Sequence, residues 1–242
     1  MPRVPKWLGD ALESVLASKY LTVNVASITL LTDTICWLKL SGDFVGVDFQ
    51  PGYAVDFRVN DNDFRHYTPS AFDAGAGTCE ILIHLHGKGP GSAFVSRLKA
   101  GETLKMVIPR GRKLYDRDHQ FHFFFGDETA LGLFKLFSEE IHALNQHYTG
   151  VMEMSEENQG LAERFGMKLK TVLKSPDHPG RYAAASLHAF KTDDPHIFKQ
   201  GIFYLIGNAA SIQHFKRTLR HMGVAIKNIK TQAYWVEGKA GL

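Results

Sequence analysis

Cysteine is scarce in this chain of 242 residues, which contains only Cys36 and Cys79. The two residues lie far apart and outside any C-x-x-C pattern, in apolar segments of the kind that form β-strands. We therefore expect two buried, reduced thiols in a cytoplasmic protein, with a disulfide between them as the alternative.

The chain also lacks a long apolar run and a block of basic residues. No stretch approaches the roughly 18 uncharged apolar residues of a membrane-spanning helix, so no membrane span is expected. Residues 1–18 have the spacing of an amphipathic helix, with Asp10 and Glu13 in its middle, and lack the apolar core of a signal peptide. Because the net charge is only +3 and Lys and Arg are spread along the chain, nucleic acid is not favoured as a partner, whereas an anionic small ligand fits.

Short runs rich in Val, Ile, Thr and aromatic residues follow one another from residue 21 to residue 111, separated by Gly, Asp, Asn and Pro. This spacing predicts a small antiparallel barrel or sandwich, which we assign to residues 19–112. One interruption, GKGPGSAFVSRLKAG, has Phe94 and Leu98 at helical spacing and predicts a helix that ends at Gly101.

The remainder of the chain, residues 113–242, alternates strands with helices. Two units each read as an apolar strand, a tight turn and a helix, and the second has its strand from Ile202 to Ile206. This alternation predicts a parallel sheet covered by helices. Between residues 150 and 200 the sequence predicts only a helix at about 181–190. The apolar face of the first unit's helix would carry Leu131, Phe134, Phe137, Ile141 and Leu144.

The motif FRHYTPSAFD, residues 64–73, places Arg65 and Tyr67 on one face of a strand, because side chains alternate along an extended chain. Arginine offers a guanidinium suited to a phosphate, tyrosine a plane for stacking, and Thr68 a hydroxyl at the strand end. A ligand with a phosphate and a flat heteroaromatic ring would use all three groups. The alternative is an ordinary edge strand, with a solvated arginine and a tyrosine that lies over the barrel.

Two later motifs also lie between a strand and a helix. In HGKGPGSAF, the turn from Gly89 to Ser92 would offer free backbone N–H groups to a phosphate, although it matches neither G-x-G-x-x-G nor the P-loop pattern. In FFFGDETALG, the turn occupies the place where open parallel sheets bind ligands. Asp127 and Glu128 would equally serve as acidic first-turn residues favoured by the helix dipole.

Metal and hydrolase chemistry find no support in the sequence. His84 and His86 form an H-x-H pair on one strand face, but no carboxylate or cysteine completes a ligand set, so no metal site is expected. The patterns G-x-S-x-G and H-E-x-x-H are both absent.

Taken in order, four motifs resemble the siderophore-interacting proteins, which are FAD-dependent ferric-siderophore reductases of the ferredoxin-NADP reductase superfamily. They are R-x-Y-T from Arg65, H-G-x-G-P-G-S from His86, G-D-E-T-A-L from Gly126 and Y-W-x-x-G from Tyr234. The resemblance implies a six-stranded antiparallel Greek-key barrel that binds FAD, followed by an α/β domain with a parallel sheet that binds NADH or NADPH. Electrons would pass from the nicotinamide through the flavin to Fe(III) in an anionic siderophore, and the iron would leave as Fe(II).

The resemblance also implies residue roles. Arg65 would bind an FAD phosphate, while Tyr67 would stack on the flavin and Thr68 would hydrogen-bond near its reacting edge, so Tyr67 and Thr68 are the catalytic candidates. The other cofactor-binding candidates are His86, Gly87, Gly89, Pro90, Gly91 and Ser92 in the first domain, and Gly126, Asp127, Glu128, Thr129, Gly207, Asn208, Tyr234 and Trp235 in the second. Basic candidates for holding the anionic siderophore are Lys88, Arg110, Arg112, Lys113 and Lys239. The alternative for each of them is an ordinary solvated residue on the protein surface.

Three positions depart from the family pattern. Ser70 and Phe94 stand where an arginine and a tryptophan are common, and Asn208 stands where a glutamate is frequent. Loss of one arginine contact to a phosphate, worth about 1.5 to 3 kcal/mol, predicts weaker retention of FAD. Two other functions fit the same motifs: a flavin reductase with another electron acceptor, and a siderophore-binding module with weak flavin binding. We expect a monomer.

Overall fold

The computed structural model describes residues 19–87 and 89–238. The predicted amphipathic helix of residues 1–18 and the candidates Lys88 and Lys239 lie outside the described residues. The chain divides into two compact units, of which one ends at Lys113 and the other begins at Leu114. Within the described ranges, no helix is both long enough and apolar enough to cross a membrane.

The first unit is built on one antiparallel sheet of seven strands. The strands are β1 (Tyr20–Leu30), β2 (Ile35–Gly42), β3 (Tyr53–Arg58), β4 (Phe64–Tyr67), β5 (Ala71–Asp73), β6 (Thr78–His84) and β7 (Thr103–Gly111). Their order in the sheet is β4-β3-β7-β1-β2-β6-β5. The outermost strands, β4 and β5, are joined by only three residues, so the two ends of the sheet are close in the chain, as in a barrel. The predicted antiparallel β domain is confirmed.

The count of seven strands differs from the expected six because the motif FRHYTPSAFD is split. Pro69 has no N–H to donate and disfavours a continued ladder, so β4 ends at Tyr67. The chain then resumes pairing at Ser70, whose N–H donates to Glu80 O at 2.7 Å, and β5 continues along β6.

Alternate residues of the strands fill a closed apolar core in the first unit. Val55 and Phe57 of β3 point into it, together with Ile81 of β6. Cys36 and Cys79 are buried there as free thiols, as expected. Burial raises the pKa of Cys36 to about 11 and that of Cys79 to about 12, so both thiols are protonated at neutral pH.

Helix α1 (Pro90–Val95), the one α-helix that the structure describes in the first unit, is shorter than predicted. The Ser96 N–H still bonds to Ser92 O, but the next two N–H groups bond only three residues back, which tightens the chain out of the helix. Leu98 is nevertheless buried, so the predicted apolar face is present without the last helical turn.

The second unit is a five-stranded parallel sheet flanked by helices, as predicted. Its strands are β8 (Phe121–Asp127), β9 (His147–Met154), β10 (Lys170–Leu173), β11 (Ile202–Asn208) and β12 (Ile229–Trp235). Their order in the sheet is β10-β9-β8-β11-β12. Its α-helices are α2 (Leu131–Ala143), α3 (Leu161–Arg164), α4 (Arg181–Ala185), α5 (Leu187–Asp193), α6 (Pro195–Gln200) and α7 (Ala209–His221), and 3-10 turns occupy Glu128–Ala130, Glu156–Asn158 and Ile226–Asn228.

Two expectations for the second unit need correction. Leu144 does not join the buried face of α2: the helix ends at Ala143, and Leu144 is 41% exposed. The region 150–200 contains more than one helix, since β9, β10, α3 and α6 were not predicted and the expected helix is divided at Ser186 into α4 and α5.

Candidate functional site

Arg65 and Tyr67 lie side by side on β4, the four-residue edge strand of the first unit. The Arg65 guanidinium donates to Phe64 O at 2.7 Å, and its Nη1 lies 3.7 Å from Asp63 Oδ1. The Tyr67 ring packs against Phe57, with ring centroids 6.0 Å apart. Burial raises the pKa of Tyr67 to about 12, against a smaller lowering by Arg65, so the hydroxyl can donate a hydrogen bond at neutral pH.

The Gly-Pro turn meets both of these side chains. A Cβ atom added to Gly91 would lie 2.8 Å from Tyr67 Oη and 3.4 Å from Arg65 Cγ. Only glycine therefore lets the backbone of α1 approach the strand this closely. In the same turn, a Cβ on Gly89 would lie 2.6 Å from Cε1 of the exposed His86 ring. The structure thus brings the first and second motifs together.

Ser92 carries an unused polar atom in this turn. Its side chain is only 6% exposed, and its Oγ has no hydrogen-bond partner among the described residues. A buried hydroxyl without a partner costs free energy, so native proteins rarely leave one unexplained. A ligand oxygen at the turn would satisfy it, which makes Arg65, Tyr67 and Ser92 a set suited to an anion with a flat ring.

The remaining first-unit candidates differ in their surroundings. Thr68 is half-buried directly after β4, and Gly87 turns the chain with φ +75°. Pro90 is the first residue of α1. Arg112 and Lys113 are exposed after β7 and are available to a solute.

Arg110, in contrast, is held by a residue that the sequence analysis missed. The carboxylate of Asp56, 2% exposed on β3, accepts a 2.6 Å hydrogen bond from Arg110 Nη2 and a second from His66 Nδ1 on β4. A signal was present in the sequence, because Asp56 alternates with Val55 and Phe57, and its side chain must point away from the core that these two residues fill. The ion pair ties β4 and β7 to β3.

The candidates of the second unit lie where β8 and β11 end. From β8 the chain passes to β9 and β10 on one side of the sheet, then returns to β11 on the other side. Strand order therefore reverses between β8 and β11, and open parallel sheets bind ligands beyond the carboxyl ends of the strands at such a point. Gly126 and Asp127 end β8, Glu128 and Thr129 follow it, and Gly207 and Asn208 end β11.

Asp127 is the centre of this end of the sheet. Its buried carboxylate accepts hydrogen bonds from Thr129 N (2.9 Å) and Thr129 Oγ1 (2.5 Å) at Oδ1, and from Asn208 N (2.8 Å) and Trp235 Nε1 (2.8 Å) at Oδ2. Gly207 is required beside it, since its φ is +120° and a Cβ would lie 2.7 Å from Asp127 Cγ. Asp127 thus joins three strand ends and caps the 3-10 turn after β8.

Glu128 lies inside the second unit, with 1% exposure, and does not present its carboxylate outward. Ser155 N and Oγ donate to its Oε1 at 2.6 and 2.8 Å, and Lys174 Nζ pairs with its Oε2. Asp127 therefore caps the 3-10 turn and Glu128 is an acidic residue of its first turn, which are structural roles of the kind named as the alternative to ligand binding.

A second buried acid, Glu153, stands opposite Asp127 in the register of β8 and β9. Gly180 N donates to it at 2.9 Å. Burial raises its pKa, and the nearby charge of Asp127 raises it further.

Asn208 Oδ1 caps α7 by accepting from Ala210 N and Ser211 N, which explains an amide at this position. Tyr234 is half-buried beside Trp235 on β12.

No group of three His, Cys, Asp or Glu residues within 19–87 and 89–238 is arranged to hold a metal ion. The pair His84 and His86 is separated by the end of β6, which places His86 in the glycine turn instead.

A family model confirms the resemblance for the first unit. The model of the siderophore-interacting FAD-binding domain matches residues 54–113, from β3 to the end of the unit, and includes the R-x-Y-T motif and the Gly-Pro turn.

Solved structures confirm the two-domain fold. The chain is similar to the siderophore-interacting protein SipS from Aeromonas hydrophila, with 21% identity over 91% of this chain and 93% of that chain and a TM-score of 0.73. The siderophore utilization protein from T. fusca matches with 19% identity, coverage of 93% and 95%, and a TM-score of 0.68. Ferredoxin-NADP+ reductase from Plasmodium falciparum matches with 14% identity, coverage of 90% and 97%, and a TM-score of 0.74.

Proposed function

We propose that this protein is a flavin-dependent ferric-siderophore reductase, which takes electrons from NADH or NADPH and releases iron as Fe(II). The observation that carries the proposal is the set of Arg65, Tyr67 and the unpartnered Ser92 hydroxyl around Gly91, inside the segment that matches a siderophore-interacting FAD-binding domain. The reductase fold supports the same class of reaction.

The residues of the first unit fit FAD. The Arg65 guanidinium would pair with a phosphate, and the Ser92 hydroxyl would donate to a neighbouring phosphate oxygen. The Tyr67 ring would stack on the flavin ring, since it is packed from behind by Phe57 and is fixed in position. Thr68, next in the chain, would hydrogen-bond at the edge of the flavin, while Gly89 and Gly91 let the backbone approach the diphosphate.

FAD held by these residues would supply the electron chemistry, the transfer of electrons from a reduced nicotinamide to ferric iron. The loops after β8 and β11 would bind the nicotinamide nucleotide through Thr129 and the backbone of Gly126 to Thr129 and of Gly207 to Asn208. Asp127 holds these loops and the Trp235 indole in place.

The substrate would be an anionic ferric chelate. Arg112 and Lys113 are exposed cations that would attract it, and Arg110 would do so with a charge partly offset by Asp56. Reduction weakens the binding of iron to hard oxygen ligands, so Fe(II) leaves the chelate. We also propose that the protein acts in the cytoplasm as a monomer.

Reconstitution tests the proposal. The purified protein, incubated with FAD, is expected to gain the visible absorbance of a bound flavin, lose it on anaerobic addition of NADH or NADPH, and regain it when a ferric siderophore is added, with Fe(II) trapped by a chromogenic chelator. Failure to bind FAD would refute a flavoenzyme. Reoxidation by other acceptors but not by ferric chelates would instead identify a flavin reductase with another acceptor, and flavin-independent siderophore binding would identify a binding module.

Two substitutions test the residues. Arg65→Gln and Ser92→Ala each remove a hydrogen bond to a charged phosphate, worth about 1.5 to 3 kcal/mol, so each is expected to raise the Kd for FAD by roughly 10- to 150-fold. The exposed Arg97, just after α1, provides the matched control, because Arg97→Gln removes one cation from the same unit without touching the turn. An equal loss of affinity in Arg65→Gln and Arg97→Gln, with no loss in Ser92→Ala, would point to general charge alone.

A further inference from the structure

One long segment of the second unit contains no acidic residue. From Pro195 to Val236 the sequence has six Lys or Arg and three His but neither Asp nor Glu. Because the whole chain carries +3 and this segment carries +6 with neutral histidines, the other 200 residues together sum to −3. The net positive charge of the protein therefore lies in these 42 consecutive residues, because they lack acidic residues.

Helix α7 displays much of this charge on its outer face. Its apolar side is fully used in the core, where Ile212, Phe215 and Leu219 are buried. The opposite side carries Lys216, Arg217 and Arg220, of which the two arginines are exposed. These three residues and the exposed Lys227, in the 3-10 turn after the helix, define a surface that we call the α7 basic face.

The charges of the α7 basic face have no acidic partners among the described residues. None of its four cations forms a salt bridge with residues 19–87 or 89–238, whereas helix α2 pairs its Lys135 with Glu139. Lys216 and Arg220 are four residues apart and Arg217 and Arg220 three apart, so neighbouring like charges repel along the helix. This repulsion opposes the favourable placement of Arg220 in the last turn of the helix, and no salt bridge among the described residues relieves it.

An exposed apolar residue beside the cations favours a lipid surface as the occupant. Ile226, next to Lys227, is 57% exposed. Cations around an apolar side chain suit an anionic leaflet, whose charge attracts the cations and whose interior takes up the apolar group.

The α7 basic face is also remote from the ligand end of the sheet. Helix α7 begins at Asn208, beside Asp127, and its cations lie in the last two turns, roughly 12 to 18 Å along the helix axis. A surface that engages these turns would leave the ends of β8 and β11 open.

We propose that the α7 basic face attaches this protein reversibly to anionic phospholipid membranes, with Ile226 at the water–lipid boundary. The attachment is electrostatic and needs no cofactor, so it stands independently of the proposed reductase activity. Each cation near an anionic leaflet contributes about a fivefold increase in partitioning, which makes four of them sufficient for weak, salt-sensitive binding.

Vesicle flotation of the full-length protein tests this proposal. We expect binding to vesicles of phosphatidylcholine mixed with phosphatidylglycerol at about 0.1 M salt, and release at about 1 M salt, where the screening length falls from roughly 10 to 3 Å. Vesicles of phosphatidylcholine alone are expected not to bind. Equal binding to both kinds of vesicle, or to neither, would overturn the proposal.

Matched triple variants assign the surface. Replacing Lys216, Arg217 and Arg220 by Gln is expected to reduce partitioning roughly a hundredfold, and replacing only the two arginines by Lys is expected to preserve it. The control replaces Arg164, Lys168 and Lys170 by Gln, three exposed cations of the same unit outside the face. A similar loss in the control would overturn the assignment to α7, and tighter binding to polyglutamate or duplex DNA than to the vesicles would replace the membrane by a soluble polyanion.

Discussion

The Trp235 indole N–H donates a 2.8 Å hydrogen bond to Asp127 Oδ2, which joins the end of β12 to the end of β8 across the intervening strand β11. The same oxygen accepts from Asn208 N at the end of β11. One buried carboxylate therefore sets the relative positions of three strand ends, where the proposed nucleotide site lies. All four of its hydrogen bonds come from N–H or O–H donors, so both oxygens of this buried side chain have partners.

Replacing Asp127 by Asn is expected to destabilise the second unit by about 2 to 3 kcal/mol. The amide keeps the shape of the side chain, but its NH2 group must face an N–H or O–H donor, so at least one hydrogen bond is lost. The measurement is the urea midpoint, combined with the NMR signal of the Trp235 indole N–H, which should move while that of Trp37 stays. Asp118→Asn, an exposed change in the same unit, serves as the control. An unmoved Trp235 signal would contradict the predicted role of Asp127.

Gly91→Ala is expected to destabilise the first unit by about 1 to 3 kcal/mol and to weaken FAD binding, because the new methyl group would lie 2.8 Å from Tyr67 Oη. The double variant Gly91→Ala with Tyr67→Phe should recover most of the lost stability, since the nearest clashing atom is then absent. Thermal unfolding measures this recovery. Gly75→Ala is the control glycine of the same unit, with its nearest neighbour at 3.4 Å. If the double variant were no more stable than Gly91→Ala, the clash would not be with the hydroxyl.

The sequence predicts the architecture best where a repeating pattern has one physical cause. Alternation in the runs before residue 111 predicts the antiparallel sheet, and the spacing of Leu131, Phe134 and Phe137 predicts α2, because each pattern reflects one buried face. Strand β9 was missed because HYTGVMEM carries a glycine and a glutamate. Gly150 is needed where a Cβ would lie 2.2 Å from Phe124 O, and such cross-strand contacts are not visible in a single strand.

The candidate site, too, could be predicted from the sequence only in part. Its motif residues could be named from the sequence, but their partners are distant in the chain: Asp56 and Arg110 are 54 residues apart, and Asp127 and Trp235 are 108 apart. The sequence could not separate a ligand-binding acid from a buried one at Glu128, since that distinction depends on Ser155 and Lys174 reaching the same carboxylate.

Acid is expected to destabilise the second unit through His122, which is fully buried at the start of β8. Its Nε2 lies 2.9 Å from His119 O and 3.1 Å from Gln146 Oε1, and its Nδ1 lies 3.3 Å from Tyr204 Oη. A neutral ring satisfies this arrangement, with Nε2 donating and Nδ1 accepting. Burial lowers the pKa of His122 to about 4.

The sign of the effect follows from proton binding. Between pH about 6.5 and about 4 the unfolded chain protonates this histidine and the folded chain does not. The free energy of unfolding therefore decreases as the pH is lowered through this range, by at most about 3 kcal/mol. Urea unfolding across this range measures it. His122→Gln should be less stable at pH 7 but lose less stability in acid than the wild type, while the exposed control His142→Gln should keep the wild-type slope. Parallel pH curves for His122→Gln and the wild type would contradict the prediction.

Ser70→Arg is expected to destabilise the protein instead of restoring a phosphate contact. The family pattern places an arginine here, and its absence predicted weaker FAD binding. In this fold, however, Ser70 is completely buried between β4 and β5, with its N–H bonded to Glu80 O. A guanidinium at this position would lose its hydration and would overfill the space of a serine, which together cost about 3 to 5 kcal/mol.

Thermal unfolding and FAD titration of Ser70→Arg decide between the two expectations. The matched control is Ala93→Arg, which adds the same side chain to an exposed position of α1 in the same unit. We expect a lowered unfolding temperature and no gain in FAD affinity for Ser70→Arg, and an unchanged unfolding temperature for the control. If Ser70→Arg had wild-type stability and bound FAD more tightly, the arginine would have turned outward to a phosphate. The expectation from the family pattern would then be correct, and the one from the burial of Ser70 would be wrong.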